Sequence, residues 1–548
     1  MQRITILLLA IALFLVPPVT AEENGAGSAR LQLVEATVPQ LLKAQQTGLI
    51  TAEQLVQMYL ARIAAYEESG PGVNAFLFVN PNAEEQAREL DALRHPGIAR
   101  SPLYGIPVLL KDNIDTADMP TTAGSVALAG SIPPDDAFIT RKLREAGAII
   151  LGKATLTEFA NFIALGMPTG YSSLGGFGFN PYDPRELPGG DGRPVLQTGG
   201  SSSGAGIGVN ANLVAVAIGT ETSGSILSPA SANGVVGVKP TVGLVSRDGI
   251  IPITADQDTA GPITRTVTDA AVVLGVIAGY DPADPATAAC LTPGNCFNDY
   301  TPFLDKKALE GARIAVVTPV PASRLDMILA AIEVLEAEGA EIEITAPFPA
   351  QLGTCVSYPP VAGCSTVLLY GQKRDLNAYL AATPGAPHQT IAEIVAFNAT
   401  YNPPLKYGQA IFEAATQVDT SPGSADTLRY LADLAEDRMR SRGALNDIFD
   451  GADNIKGTAD DVDAILSAAN FFAAAPAKAG YPSITVPGGF LPATPPVVNP
   501  FPSGMTFTGP AFSEPALIGL AYAFEQATLH RLPPASTPPL PSDTVTRP

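Results

Sequence analysis

Four short apolar runs constrain the fold of this chain more than any other feature. They are Leu103–Leu110, Ala148–Leu151, Leu213–Ile218 and Ala312–Val317, the last of which contains the single charged residue Arg313. Apolar runs of four to eight residues, bounded by Gly, Pro and polar residues, are typical of strands buried within a sheet. The chain is therefore predicted to contain a buried sheet rather than a bundle of helices.

Helical patterns alternate with these runs. They cover residues 51–69, 135–147 and 326–339, and Asp135 is predicted to cap the second helix. One more strand is predicted over residues 341–345. This alternation favours an α/β fold, with a large mixed β-sheet core covered by helices on both faces.

The N-terminus has the pattern of an export signal. Arg3 precedes an apolar run from Ile4 to Val16, and Val19-Thr20-Ala21 offers a small-residue cleavage site. The run is short for a membrane span. We expect residues 1–21 to be a signal peptide cleaved near Ala21, and the mature protein to be secreted or periplasmic. An uncleaved anchor or a buried helix is the alternative.

The charge balance narrows the choice of partners. The chain has 53 acidic against 32 basic residues, a formal net charge of -21. Nucleic acids and anionic lipids bind clustered lysine and arginine. We therefore expect no nucleic-acid partner and, after signal removal, no membrane partner. A neutral or cationic small molecule is the kind of substrate that suits this net charge. The sequence does not predict an oligomeric state.

Cysteine usage agrees with export. The chain has four cysteines, which allow three pairings. The local pairing, Cys290 with Cys296 and Cys355 with Cys364, is favoured because short loops close easily. Four free thiols are the alternative. The spacing is not that of a zinc site.

The histidine content excludes hydrolases with a zincin-type zinc site. The only histidines are His95, His388 and His530, and no His-Glu-x-x-His motif occurs. A different motif competes: Gly200–Gly204 fits the G-x-S-x-G nucleophile elbow. An α/β-hydrolase-type esterase would use Ser202 with His388 or His530. That elbow needs a strong strand directly before it, and the preceding segment is rich in glycine.

Two segments rich in Gly and Ser, Thr198–Ala205 and Ile218–Ile226, belong to a series of motifs that follow one another in a fixed order. We call them the two Gly/Ser elements. The series comprises Gly105–Asp112, Thr198–Ala205, Ile218–Ile226, Ser228–Thr241, Gln257–Pro262, Tyr481–Pro487 and Phe507–Ala511. In this order it resembles the amidase signature family, over about residues 35–530. Ser201 and Ser225 stand 24 positions apart, as in that family.

The resemblance implies a relay of three residues. Lys111 would be the base, Ser201 the relay with a cis peptide bond before it, and Ser225 the nucleophile that forms an acyl-enzyme. A serine hydroxyl needs a base to take its proton, and a lysine becomes a base only when it is desolvated. The apolar strand that ends at Lys111 is a suitable place for this.

The resemblance also implies an oxyanion hole, with no metal and no cofactor. Its members are Thr222, Ser223, Gly224, Ser225 and Ser201, with the backbone N–H groups of residues 222–225 as the donors. Thr220 and Asp258 are predicted to support the site, and Lys153 and Lys239 to be structural.

Within the family, the chain is most similar to exported bacterial peptide amidases, which remove the amide from peptide C-termini. Residues 242–252 carry this narrower similarity. There are departures: Glu221 stands where the family often has Asp, Ser223 where it has Gly, and Leu227 where some members have Arg. Extra residues occur around 186–195. These differences leave the relay residues in place and bear on substrate preference.

The predicted organisation is a signal peptide (1–21), a flexible N-terminus (22–34), an amidase domain (35–530) and a Pro-rich, disordered C-terminal tail (531–548). Two alternatives to an amidase remain besides the esterase: a non-catalytic binding protein on the same fold, and the amidase component of a tRNA-dependent amidotransferase. The acidic stretch Asp450–Asp463 is predicted to be a surface loop, with calcium binding as the weaker interpretation.

Overall fold

The computed structural model describes residues 29–93, 101–348, 357–358, 361–451, 453 and 455–547. The predicted signal peptide lies outside the described residues, and so does Cys355, so the predicted Cys355–Cys364 pairing is not part of the description. Within the described part, helices long enough and apolar enough to cross a bilayer are absent.

The strands of the described chain are β1 (Ala29–Gln32), β2 (Phe76–Val79), β3 (Pro107–Lys111), β4 (Ile149–Ala154), β5 (Tyr171–Ser172), β6 (Gly176–Phe177), β7 (Val216–Glu221), β8 (Val236–Lys239), β9 (Thr259–Thr264), β10 (Arg313–Thr318), β11 (Glu341–Pro347), β12 (Ser357–Tyr358), β13 (Val361–Ser365), β14 (Ala464–Ala468), β15 (Ser483–Leu491), β16 (Phe501–Thr508) and β17 (Thr544–Arg547).

The helices of the same residues are α1 (Val38–Gln46), α2 (Ala52–Tyr66), α3 (Ala83–Ala92), α4 (Phe138–Glu145), α5 (Glu158–Asn161), α6 (Ser203–Asn210), α7 (Leu227–Ala232), α8 (Val267–Ile277), α9 (Leu325–Ala337), α10 (Thr366–Ala382), α11 (Ile391–Thr400), α12 (Ala410–Gln417), α13 (Ala425–Phe449), α14 (Ala474–Ala479) and α15 (Glu514–Thr528).

One large mixed sheet organises the described chain. Its strand order is β11-β10-β14-β16-β15-β8-β9-β7-β3-β4-β2. Strands β7, β3 and β4 are parallel neighbours, whereas β9 pairs antiparallel with β7. Every residue of β3, β4 and β7 is buried, so both faces of the sheet are covered there. The predicted α/β architecture is confirmed.

Most predicted elements are present, with one error at a helix start. Thr51 caps α2 through a capping box with Gln54, as the sequence predicts. Asp135, however, does not cap α4, which begins at Phe138 after Ala137. The neighbouring Asp136 accepts a hydrogen bond from the N–H of Ala117 at 2.9 Å, so an acid here holds a preceding turn rather than the helix.

Residues 29–34 and 531–547 are ordered, whereas the sequence predicts a disordered tail; residues 22–28 of the predicted flexible N-terminus lie outside the described residues. Strand β1 pairs antiparallel with β17. Arg62 forms an ion pair with Asp543 at 2.6 Å, and both side chains are fully buried. The proline-rich composition of the tail predicts disorder, but such a segment also packs against the fold when its carbonyl groups accept hydrogen bonds. Here Arg62 donates to the carbonyls of Thr537 and Pro538.

The remaining local predictions fall in loops. Cys290 and Cys296 are disulfide-bonded, with Cα atoms 5.0 Å apart. In the acidic loop, Asp461 accepts a hydrogen bond from the N–H of Gly457 at 2.7 Å, and Asp453 accepts one from Ile455 at 2.8 Å. Its described carboxylates thus organise the backbone of their own loop.

Candidate active site

Lys111 is the last residue of β3, which lies between β7 and β4 in the large sheet, and its side chain is fully buried. Burial disfavours a charged ammonium, and it lowers the pKa of Lys111 to about 7, with Asp258 and Glu221 acting in the opposite direction. A lysine in this position is an uncharged amine for much of the time near neutral pH.

The amine of Lys111 contacts three oxygen atoms. Its Nζ lies 2.8 Å from Ser201 Oγ, 2.9 Å from Thr220 Oγ1 and 3.2 Å from the Thr220 carbonyl oxygen. The Asn113 amide donates to Thr220 Oγ1 at 3.1 Å and to the Ile251 carbonyl at 3.2 Å. The predicted lysine and first serine are thus brought together, and Thr220 is beside them as predicted.

Ser201 is held by a tight backbone environment. The Gly200–Ser201 peptide bond is cis, as the resemblance implied. The Ser201 carbonyl accepts a hydrogen bond from Thr157 N–H at 3.0 Å. At Gly199 the φ angle is +67°, and a Cβ there would lie 2.6 Å from the Ser228 carbonyl oxygen. Only glycine fits at position 199.

Ser225 lies in the loop that joins β7 to α7. Its carbonyl accepts a hydrogen bond from the N–H of Ser202 at 3.2 Å, which ties the two Gly/Ser elements together. Ser225 is 8% exposed, whereas Ser201 is fully buried. Of the two predicted serines, Ser225 is therefore the one that a ligand can reach from solvent.

Glu221 organises this loop, although in the sequence it stands out only as a departure from the family pattern. Its buried carboxylate accepts hydrogen bonds from the N–H groups of Gly224 at 2.6 Å, Ile226 at 2.7 Å and Leu227 at 3.1 Å. A carboxylate that binds three backbone donors fixes the path of the loop. An acidic residue directly before a Gly/Ser turn was the available signal.

The predicted oxyanion donors need one correction. The N–H of Gly224 is engaged by Glu221, so in this arrangement it cannot donate to a ligand. Among the described residues, the N–H groups of Thr222, Ser223, Ser225 and Ser201 have no hydrogen-bond partner. Three of these donors, at Thr222, Ser223 and Ser225, belong to the loop between β7 and α7, and the fourth belongs to Ser201 before α6.

Asp258 supports the loop between β7 and α7 through Thr222, as predicted. Its Oδ1 accepts a hydrogen bond from Thr222 Oγ1 at 2.5 Å, and its Oδ2 accepts from the N–H groups of Ile253 and Thr254 at 2.8 and 2.9 Å. Burial raises the pKa of Asp258 to about 6, while these hydrogen bonds act to lower it. The side chain fixes Thr222 and the segment after Ile250.

Ser202 has a different environment from its neighbour. It is fully buried, and its hydroxyl donates to the Thr220 carbonyl at 3.1 Å and accepts from Thr220 N–H at 3.2 Å. Both hydrogen-bonding directions are thus used by the backbone of β7. Within the described chain, neither His388 nor His530 forms a hydrogen bond with Ser202, so the elbow arrangement is not formed.

Two further lysines that are fully buried, Lys153 and Lys239, bind carbonyl and hydroxyl groups away from the serines. Lys153 donates to Thr121 Oγ1 at 2.7 Å and pairs with Asp112 at 3.5 Å. Lys239 donates to the Tyr481 carbonyl at 2.7 Å. Neither has a described contact with Ser201 or Ser225, in keeping with the structural roles predicted for them.

Comparison with known proteins agrees with this geometry. The family model described as Amidase matches residues 54–362. A probable amidase of Arabidopsis thaliana is 38% identical over 517 residues, which cover 92% of this chain and 93% of the relative. A glutamyl-tRNA(Gln) amidotransferase subunit of Microcystis aeruginosa is 33% identical over 509 residues, 89% of this chain and 96% of the relative.

Solved structures show the same fold. Native peptide amidase from Stenotrophomonas maltophilia has a TM-score of 0.78 at 39% identity and covers 92% of this chain and 99% of its own. An amidase family protein from Bacillus anthracis has a TM-score of 0.81 at 34% identity, with 92% of each chain covered. The fold and the site define an amide-hydrolysing α/β enzyme. The chain belongs to the amidase signature family.

Proposed function

We propose that this enzyme hydrolyses the C-terminal amides of peptides through a Ser225–Ser201–Lys111 relay. One observation carries the mechanism: a fully buried Lys111, its pKa lowered to about 7, lies 2.8 Å from Ser201 Oγ. The choice of substrate is supported by the solved peptide amidase, whose TM-score of 0.78 exceeds the 0.59 of a glutamyl-tRNA(Gln) amidotransferase subunit from Thermotoga maritima.

The first step activates Ser225. Neutral Lys111 accepts the proton of Ser201 as Ser201 accepts the proton of Ser225. The Ser225 oxygen then attacks the amide carbonyl carbon, and the carbonyl π electrons move to its oxygen. The free N–H groups of Thr222, Ser223 and Ser225 stabilise that oxyanion; one such donor typically contributes about 3 kcal/mol.

The second step expels the amine. The tetrahedral intermediate collapses, the C–N bond breaks, and Ser201 gives its proton to the departing nitrogen while it recovers one from Lys111. For a primary amide the product is ammonia, and the acyl group remains on Ser225 as an ester. Water, deprotonated by the same relay, attacks this ester and releases the carboxylic acid.

A substrate panel tests this function. The purified enzyme is assayed for ammonia release from peptide amides and simple aliphatic amides, and for turnover of aryl amides and esters. We expect the highest kcat/KM for peptide amides. Faster turnover of esters, with Ser202 rather than Ser225 labelled by a fluorophosphonate, would instead support the esterase.

The labelling experiment also addresses a non-catalytic binding protein. Covalent modification of Ser225 by the fluorophosphonate requires an activated hydroxyl, so a folded protein that resists the reagent and hydrolyses no amide would contradict the proposal. Peptide mapping by mass spectrometry identifies the labelled serine.

A further inference from the structure

Arg324 ends a short turn between β10 and α9, and among the described residues its guanidinium has no acidic partner. In the described chain no carboxylate oxygen lies within 4.0 Å of its nitrogens. Its Nη1 donates to the carbonyl of the adjacent Ser323 at 3.1 Å, and its Nε is buried without an acceptor. Burial lowers the pKa of Arg324, and no acid in the described part of the chain acts in the opposite direction. Such a cation is available to an anionic ligand.

A chain of contacts connects Arg324 to the nucleophile loop. Its guanidinium carbon lies 5.8 Å from the ring centroid of Phe471, a side chain that is 58% exposed. The preceding residue, Asn470, packs on the loop: a Cβ on Gly224 would lie 3.0 Å from Asn470 Nδ2. Gly224 directly precedes Ser225. Two consecutive residues, Asn470 and Phe471, thus link the loop that carries Ser225 to the Arg324 guanidinium.

Apolar side chains extend this surface. Leu325 is 45% exposed and Leu329 is 50% exposed, and they lie one turn apart on the same face of α9. We call Arg324, Leu325, Leu329 and Phe471 the Arg324 surface. A guanidinium binds a carboxylate through two parallel hydrogen bonds, while an aromatic ring and leucines contact the methylene groups that carry it.

We propose that the Arg324 surface is a subsite for an Asp or Glu side chain located upstream of the scissile amide in a peptide substrate. This inference rests on the proposed function. It gives the enzyme a preference for acidic peptide amides despite its formal net charge of -21, which on its own would disfavour them.

Matched peptides test the subsite. N-acetylated peptide amides are compared in pairs that differ only by Glu or Gln, at the first, second and third positions upstream of the residue that bears the amide. We expect kcat/KM to favour Glu about tenfold at one of these positions, because a charge-assisted hydrogen bond replaces a neutral one. Arg324→Gln should reduce this Glu/Gln ratio to about one.

Arg313→Gln is the control variant. Arg313 lies on β10 and is paired with Glu341 at 2.6 Å, so its loss removes the same charge without touching the surface. The Glu/Gln ratio should be unchanged in this variant, and thermal unfolding shows that both variants are folded. Raising the salt concentration should weaken the preference in the unmodified enzyme.

The outcomes separate the two proposals. Hydrolysis of the Glu and Gln peptides at equal kcat/KM at all three positions overturns the subsite and leaves the peptide amidase standing. A preference for Glu that survives Arg324→Gln also overturns it. Failure to hydrolyse any peptide amide, while other amides are turned over, overturns the proposed substrate class and the subsite with it.

Discussion

At the scale of single residues, the protonation of Lys111 governs the expected pH dependence. The relay needs a neutral amine, and burial lowers the pKa of Lys111 to about 7. Below that pH the charged form dominates, so kcat/KM should fall about tenfold per pH unit, and above it kcat/KM should level off. A pH–rate profile with an uncharged substrate measures this. A rate that is flat from about pH 5 to 9 would argue against lysine as the base.

Ser225 and Ser202 should differ sharply on substitution. Ser225→Ala removes the proposed nucleophile and should reduce kcat by about 10⁴-fold or more. Ser202→Ala removes two hydrogen bonds to the backbone of β7 and should cost stability while most of the activity is kept. Ammonia release and thermal unfolding of both variants check this. The reverse pattern would favour the nucleophile elbow.

The sequence identifies some of these residues better than others. Lys111, Ser201 and Ser225 belong to motifs with fixed order and spacing, so they are found without a structure. Asn113 is missed because its role depends on Thr220 and Ile251, which are distant in sequence. The availability of Gly224 N–H was mispredicted because the sequence does not show where the Glu221 carboxylate points.

At the scale of elements, the loop between β7 and α7 is sensitive to added volume. Gly224 has a φ angle of +83°, and an added Cβ would meet Asn470 Nδ2 at 3.0 Å. Gly224→Ala should therefore shift the donors of Thr222 and Ser225 and lower kcat by at least about tenfold. Gly423→Ala is the control, since its φ angle is +78° and an added Cβ there meets nothing within 4 Å.

Measurements of kcat and of thermal unfolding for Gly224→Ala and Gly423→Ala test this prediction. Both should lose about 1 kcal/mol of stability from the left-handed backbone conformation, while only Gly224→Ala should lose activity. Equal kcat values for the two variants would mean that the geometry of the loop is not critical.

The elements themselves were predictable to different degrees. The strands β3, β4, β7 and β10 coincide largely with the apolar runs, because a strand buried on both faces needs apolar residues at nearly every position. Strands β8 and β9 are rich in Gly, Lys and Thr and were not predicted. The order of strands in the sheet depends on pairing between distant segments, which local patterns do not encode.

At the scale of the whole molecule, Arg62 of α2 fixes the C-terminal segment to the body of the fold. It is fully buried, pairs with Asp543, and donates to the carbonyls of Asn212 at 2.7 Å and Ala211 at 2.8 Å. Arg62→Met leaves Asp543 buried without its counter-charge, so the free energy of unfolding should fall by about 3–5 kcal/mol. Denaturant unfolding measures this.

A surface ion pair provides the contrast. Arg440 pairs with Glu436 on the exposed side of α13, and Arg440→Met should change stability little. Similar losses for both arginine variants would show that the buried pair has no special role. Activity well below the unfolding temperature should be retained in both, because neither side chain contacts the site.

The pairing of β1 with β17 also makes this enzyme suitable for circular permutation. Ala29 and Arg547 are partners in register, so a short glycine-rich linker can join them without crossing the molecule. New ends can then be opened at an exposed turn such as the one that contains Gly423. A protein fused to the new ends of such a permuted enzyme would lie far from β1 and β17.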